Sequence, residues 1–218
     1  LTSVLVYTAN SQRGSDNEKP ASTVYLLFDL IRKDIVGDGE MKEGLRKDFK
    51  IFRDFRESNQ KHHVKISSYI DFQALGTESM PKKWRDHYWA SHPDEKKALI
   101  GLLRTLIEEI VYPRAKDFLK KNAVKYKETK FKGNDQMAEV SYTVEYKKES
   151  GEIETIPLLF RLSRQQTSWK IIDIFLEDQL WSDMFKNQFN HIITTQSYPV
   201  LIEKMKQKLD NVQSGKAF

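Results

Sequence analysis

From Ala138 to Tyr146 every second residue is apolar: Ala138, Val140, Tyr142, Val144 and Tyr146 alternate with Glu139, Ser141, Thr143 and Glu145. A period of two belongs to a strand with one face buried, because successive side chains leave opposite faces of an extended backbone. A strand of this kind needs partners, and the flanking sequence supplies them. Val124 and Tyr126 alternate with lysines before Gly133-Asn134, and Ile156, Leu158, Phe160 and Leu162 return after the hairpin loop Glu149-Ser150-Gly151-Glu152. Gln165 to Ser168 is a further turn, leading into a fourth strand, Trp169 to Leu176. Strict alternation places Trp169, Ile171 and Phe175 on one face of that strand and Ile172, Ile174 and Leu176 on the other. Apolar on both faces, it is expected to lie mid-sheet.

The rest of the chain reads as helix. Pro20 opens a helix that carries Val24, Leu27, Phe28 and Ile31 at helical spacing and stops at Gly37-Asp38-Gly39. Met41, Leu45, Phe49, Phe52 and Phe55 mark the inner face of a second amphipathic segment, and two short helices are expected over 68–75 and 82–90. Ser91-His92-Pro93-Asp94 is a helix start, with Ser91 as the cap. The helix it opens has two adjacent stripes, Leu99-Leu102-Leu106-Ile110 and Ile100-Leu103-Ile107-Val111, wider than one buried face requires. Pro113 is expected to bend or restart it. Two helices close the chain, from about Leu180 to Ile193 and from Pro199, with Leu201, Ile202, Met205 and Leu209 inward. The fold class is therefore α+β: an antiparallel four-stranded meander wrapped by N-terminal and C-terminal helices. A twisted sheet so wrapped makes a cone whose wide end must be filled by side chains or by a ligand. Residues 1–19 read as a flexible leader or signal remnant, 20–213 as one domain and 214–218 as a tail.

Composition narrows the function classes. Among 218 residues 39% are hydrophobic, and the mean hydropathy is −0.63. No apolar run is long enough to span a bilayer. The net charge of +5 suits acidic partners, but the lysines occur only in pairs such as Lys82-Lys83, Lys120-Lys121 and Lys147-Lys148. No basic, aromatic stripe points to nucleic acid. The chain has no cysteine, which removes disulfides, thiol nucleophiles and thiolate metal sites. Leu1 to Ala9, short, apolar and ending in small residues, fits either the tail of a secretory signal or an ordinary N-terminal strand.

No catalytic or metal-binding motif is present: no glycine-rich nucleotide loop, no Gly-x-Ser-x-Gly, no His-Glu-x-x-His. His62 and His63 diverge on a helix, and His87 and His92 straddle a helix break. No metal ligand set and no catalytic set is assigned. Asp173 is the one acid on an apolar strand. It is either a general base at the bottom of a pocket, as in a dehydratase or isomerase of the same cone shape, or a structural acid satisfied by neighbouring groups. Apolar faces with few polar interruptions, and no catalytic set, favour a site that binds something greasy without transforming it.

Three blocks in order resemble the MlaC family of periplasmic phospholipid-transport proteins, also called the toluene-tolerance family, over roughly Pro20 to Val212. The first is Tyr69-Ile70-Asp71-Phe72 with Ala74-Leu75-Gly76 and Trp84. The second is the helix Lys96 to Tyr112. The third is Trp169-Lys170-Ile171-Ile172-Asp173-Ile174-Phe175-Leu176-Glu177 followed by Phe185-Lys186-Asn187-Gln188-Phe189. The sequence departs from the family at Asp178-Gln179-Leu180, where Gly-Val-Ser is usual, and at Phe185 and Lys186, which replace Tyr and Arg. The resemblance implies a nuclear-transport-factor-like sheet with a cavity for phospholipid tails, the head group remaining in water. It implies a monomeric carrier between an outer-membrane lipoprotein/porin complex and an inner-membrane ABC transporter complex with its lipid-binding ring subunit. It implies no cofactor, since the partner transporter uses the nucleotide. Another apolar ligand, such as a hopanoid, is the alternative cargo. On the inferred strand parities, the residues expected to touch the tails are Leu103, Ile107, Val111, Val140, Tyr142, Val144, Leu158, Phe160, Ile171 and Phe175.

Overall fold

A computed structural model describes residues 19–40, 49–148, 150–176 and 178–215. Helix α1 (Pro20–Asp34) starts on Pro20 and buries Val24, Leu27, Phe28 and Ile31, as the spacing predicts. A single 3-10 turn, Asp38–Glu40, follows. Helix α2 spans Phe49–Ser67; the inward positions expected at Met41 and Leu45, and the side chains of Phe49 and Phe52, lie outside what is described. Next come α3 (Phe72–Glu78), capped by the Asp71 carboxylate on the Ala74 N–H at 2.9 Å, and a widened turn, Trp84–Tyr88, running into the short α4 (Trp89–Ser91). Helices α5 (Pro93–Leu106) and α6 (Tyr112–Lys121) are joined through a five-residue π-helical turn, Ile107–Val111. Ser91 does not cap α5: His92 holds the cap position with no side-chain bond to the helix N–H groups, and the Ser91 hydroxyl turns back to the Tyr88 carbonyl at 3.1 Å. Helices α7 (Trp181–Thr195) and α8 (Tyr198–Gln213) close the described chain, and Ser197 caps α8 through the Val200 N–H.

The sheet is antiparallel with strand order β1-β2-β3-β4-β5, formed by Ala123–Lys132, Met137–Lys147, Ile153–Gln165, Ser168–Leu176 and Gln179–Leu180. The meander matches the alternation; the two-residue β5 adds a strand too short to announce itself by pattern. Ala138, Val140, Tyr142 and Val144 oppose Leu162, Phe160, Leu158 and Ile156, so the two clearest stripes of the sequence meet across one pair. Phe28 of α1 stands edge-on to both Tyr142 and Phe160, each at 5.4 Å between ring centroids.

Strand β4 departs from the expectation in two ways. It is fourth of five rather than central, and its outer edge is closed by β5 and by an isolated parallel bridge from Ile70 to Ile171. It also carries a bulge: Arg161 pairs with Asp173 but Leu162 with Ile171, leaving Ile172 without an opposite number. One extra residue reverses the parity of everything beyond it. Trp169 and Ile171 therefore share a face with Ile174 and Leu176, not with Phe175. Helices α1, α3 and α7 all pack against β4, which explains why neither of its faces is polar.

Candidate functional site

The site grows from the joint between α5 and α6. Pro113 has no N–H to donate, and in a regular α-turn its ring would collide with the carbonyl of Glu109. The helix restarts there as α6, with Pro113 in its first turn. Just ahead of Pro113 it widens, and the Tyr112 N–H reaches back to the Ile107 carbonyl, one residue further than in an α-helix. Ile107, Ile110 and Val111 on this turn line two adjoining cavities.

The first cavity, about 380 Å³, lies among α5, the turn, α7 and α8. Its wall is Leu103, Leu106, Met184, Phe185, Phe189, Ile192, Leu201 and Met205, with Gln188, Lys204 and Lys208 as polar members, and both lysines are exposed. The second, about 320 Å³, lies between the inner face of the sheet and helices α1 and α6. Leu27, Phe28 and Ile31 face Leu158, Phe160, Ile174 and Leu176 across it, with Ala115 and Phe118 alongside and Arg114 and Tyr112 as its polar members. Trp181, the first residue of α7, belongs to both. Such volumes, with almost wholly apolar walls, are those of small-molecule sites.

Behind the turn the chemistry reverses. Glu108 and Glu109 are both buried. Glu108 accepts from the Ser67 hydroxyl at 2.5 Å and from Arg104 Nε at 2.7 Å. Glu109 accepts from Arg56 at 3.0 and 3.3 Å and from Gln60 at 3.0 Å. Ser67 also meets the Tyr112 hydroxyl at 2.8 Å, and burial pushes that phenol far above its ordinary value. His63 lies edge-on to the Tyr112 ring with Nδ1 3.9 Å from Glu108. Its Nε2 has no hydrogen-bond partner among the described residues, and burial lowers its pKa from the ordinary 6.5. Each carboxylate is thus satisfied by charged or polar donors, as buried charges must be.

Of the ten residues expected at the site, Leu103, Ile107, Val111, Leu158 and Phe160 line a cavity. Val140 and Val144, both 0% exposed, and Ile171, at 1%, are packed core, as is Tyr142 between Phe28 and Phe160. Phe175 is placed on the opposite face by the bulge at Ile172, where it pairs with Leu159. Asp173 is no cavity base. It is 7% exposed and accepts from the Ile174 N–H at 2.9 Å, the Ser182 N–H at 3.1 Å and the Ser182 hydroxyl at 2.5 Å, tying β4 to the start of α7. Among the described residues no group of three His, Cys, Asp or Glu side chains is placed to hold a metal ion. The walls given by α1, α7 and α8 were missed, although the apolar spacing that marks those helices as amphipathic was the available signal.

A helix-wrapped antiparallel sheet with apolar cavities between sheet and helices defines the class: an α+β protein with an apolar interior. The same fold is found in a phospholipid-binding protein from Ralstonia solanacearum, solved in complex with a phospholipid. It matches with a TM-score of 0.62 and 19% sequence identity over 88% of this chain and 97% of that one. No curated protein matches the sequence. The family model described as MlaC protein matches residues 40–207, and the chain belongs to that family.

Proposed function

We infer that this chain is a phospholipid carrier of the periplasm, shuttling lipid between an outer-membrane lipoprotein/porin complex and an inner-membrane ABC transporter complex, without catalysis of its own. One observation carries the reading: two adjoining apolar cavities in a protein whose family and fold are those of phospholipid binders. Each methylene withdrawn from water contributes about 0.8 kcal/mol, so two long tails oppose free diffusion by on the order of 20 kcal/mol. A molecule that moves lipid through water must therefore hide the tails and only the tails. Such a carrier needs no cofactor, and among the described residues no helix is long and apolar enough to cross a membrane.

Native mass spectrometry of protein purified from cells tests the reading. The expected result is one adduct with the mass and fragmentation of a phospholipid. Protein that stays empty after purification and after incubation with phospholipid vesicles would overturn it. A sterol-like or hopanoid adduct would keep the cavity and change the cargo.

A further inference from the structure

We propose that the grip on the cargo is acid-sensitive: protonation of His63 loosens the Ile107–Val111 turn and, with it, the wall of the cavities, so that the carrier releases lipid faster at low pH. This rests on the reading that the cargo is a lipid. His63 is 6% exposed and sits on α2, behind the turn. Its ring stands edge-on to Tyr112 at 5.8 Å, and its Nε2 meets no hydrogen-bond partner among the described residues. Its Nδ1 lies 3.9 Å from Glu108, beyond hydrogen-bond reach, and Glu108 is already bound to Arg104 at 2.7 Å. With its one proton on Nδ1, the neutral ring leaves only a lone pair at Nε2. A protonated ring would leave a charged N–H there without an acceptor, which is the costlier orphan.

The charges around the ring are matched without it. Among the described residues the turn supplies Glu108 and Glu109, α5 supplies Arg104 and α2 supplies Arg56, two anions and two cations in direct hydrogen-bonded pairs. Ser67, Gln60 and Tyr112 add neutral polar groups. Asp34 of α1 meets His62 and Lys65 instead, at 3.7 and 3.8 Å, and α8 contributes the Gln213 carbonyl, which Arg56 takes at 3.4 Å. A proton on His63 therefore adds a third cation to a balanced, buried set, and buried charge without a partner is costly. The relief is local opening: once α2 draws away from the turn, the imidazolium reaches water. Glu108 and Glu109 hold that turn to α2, and Ile107, Ile110 and Val111 of the same turn line the cavities. Opening at the back thus displaces the wall at the front. The lowering of the His63 pKa by burial has the sign this requires. The closed form refuses a proton that the opened form accepts, so acid shifts the population toward the opened form.

Lipid retention against pH tests the device. Wild type is loaded from phosphatidylethanolamine vesicles and mixed with an excess of phosphatidylcholine vesicles, and the phosphatidylethanolamine left on the protein is followed by mass spectrometry. Release is expected to be about tenfold faster at about pH 5 than at about pH 7.5, with unchanged circular dichroism. His63→Gln and His63→Leu cannot take up the proton, and each is expected to release at rates within about twofold of one another at the two pH values. A wild type that releases equally fast at both, or only where it unfolds, overturns the device and leaves lipid carriage intact, as does acid-accelerated release that persists in a folded variant. A wild type that takes up no lipid at about pH 7.5 overturns the carriage reading and the device with it. Where both variants unfold, the wild-type ring decides, identified by its NMR contacts to Tyr112. A release midpoint that coincides with the titration of that imidazole supports the device, and midpoints set apart overturn it.

Discussion

Gly76 lies where α3 crosses α5, and a Cβ there would come within 2.7 Å of Ile100 Cγ1. Gly76→Ala is expected to cost about 1–3 kcal/mol by overpacking. At Gly101, in α5, an added Cβ meets no atom of the described residues within 4 Å, and Gly101→Ala is expected to gain about 0.5–1 kcal/mol from helix propensity. Urea unfolding of the two variants side by side checks the opposite signs. Ser182 supplies two of the three bonds to the buried Asp173 carboxylate, one through its hydroxyl at 2.5 Å. Ser182→Ala should destabilise by about 1–3 kcal/mol, since it strips a partner from a buried charged group; an unchanged unfolding midpoint would show that the bond is idle. Asp173 illustrates what one sequence can and cannot reveal. That an acid on an apolar strand must be satisfied was legible. That its partner is Ser182, nine residues on and across a turn, was not, because the pairing depends on where α7 begins. The departure from the family at Asp178 has a local meaning too: its φ is 63°, in the left-handed region that glycine occupies without penalty and Asp tolerates better than most residues.

At the level of elements, the strands were legible almost residue by residue, because a half-buried sheet writes its register as alternation. The exception is β4, where the bulge at Ile172 breaks the rule that the parity argument relies on. A strand apolar on both faces has no polar residue to betray a skipped position, and so Phe175 was assigned to the wrong side. Pro113 was legible as a disturbance but not as a π-turn; a proline says which bond is missing, and the surroundings decide how the helix adapts. The network behind that turn predicts a pH dependence. Burial of His63 lowers its pKa, with weaker opposition from Glu108 and Glu109 and weaker support from Arg104 and Arg56. The unfolded chain therefore binds a proton that the fold refuses. The stability linked to this group is complete above pH 6.5 and is lost as the pH falls toward the folded-state pKa. Between about pH 7.5 and about pH 5.5 the urea midpoint of the wild type should fall, and His63→Leu, which removes the titrating ring beside Glu108 and Tyr112, should flatten the fall. Parallel slopes in the two proteins would assign the pH dependence to other groups.

For the whole molecule, the apolar interior was foreseeable from the double-striped helix and the absence of any catalytic set. The existence of two cavities was not, since a cavity is what packing leaves over and no residue encodes it alone. The net charge of +5 gains a location here, because Lys204 and Lys208 stand exposed at the edge of the cavity beside α7 and α8. Under the carrier reading, K204E/K208E should slow lipid uptake from vesicles containing anionic phospholipid several-fold in dilute buffer. The difference should shrink as salt shortens the Debye length from about 10 Å at 0.1 M to about 3 Å at 1 M. Stopped-flow transfer of a fluorescent lipid measures both; rates indifferent to charge and salt would place pick-up elsewhere. The other charged feature is β1, the terminal strand of the sheet, which carries Lys125, Lys127, Lys130 and Lys132 over ten residues and, among the described residues, pairs with β2 alone. An unpaired strand edge invites a second molecule to extend the sheet, and lysines along it make that approach costly. The exposed Tyr126 and Phe131 on the same strand would otherwise favour such growth. A row of lysines in this position disfavours the addition of a further strand, so the end of the sheet that lies farthest from β5 is poorly suited to growth by edge pairing.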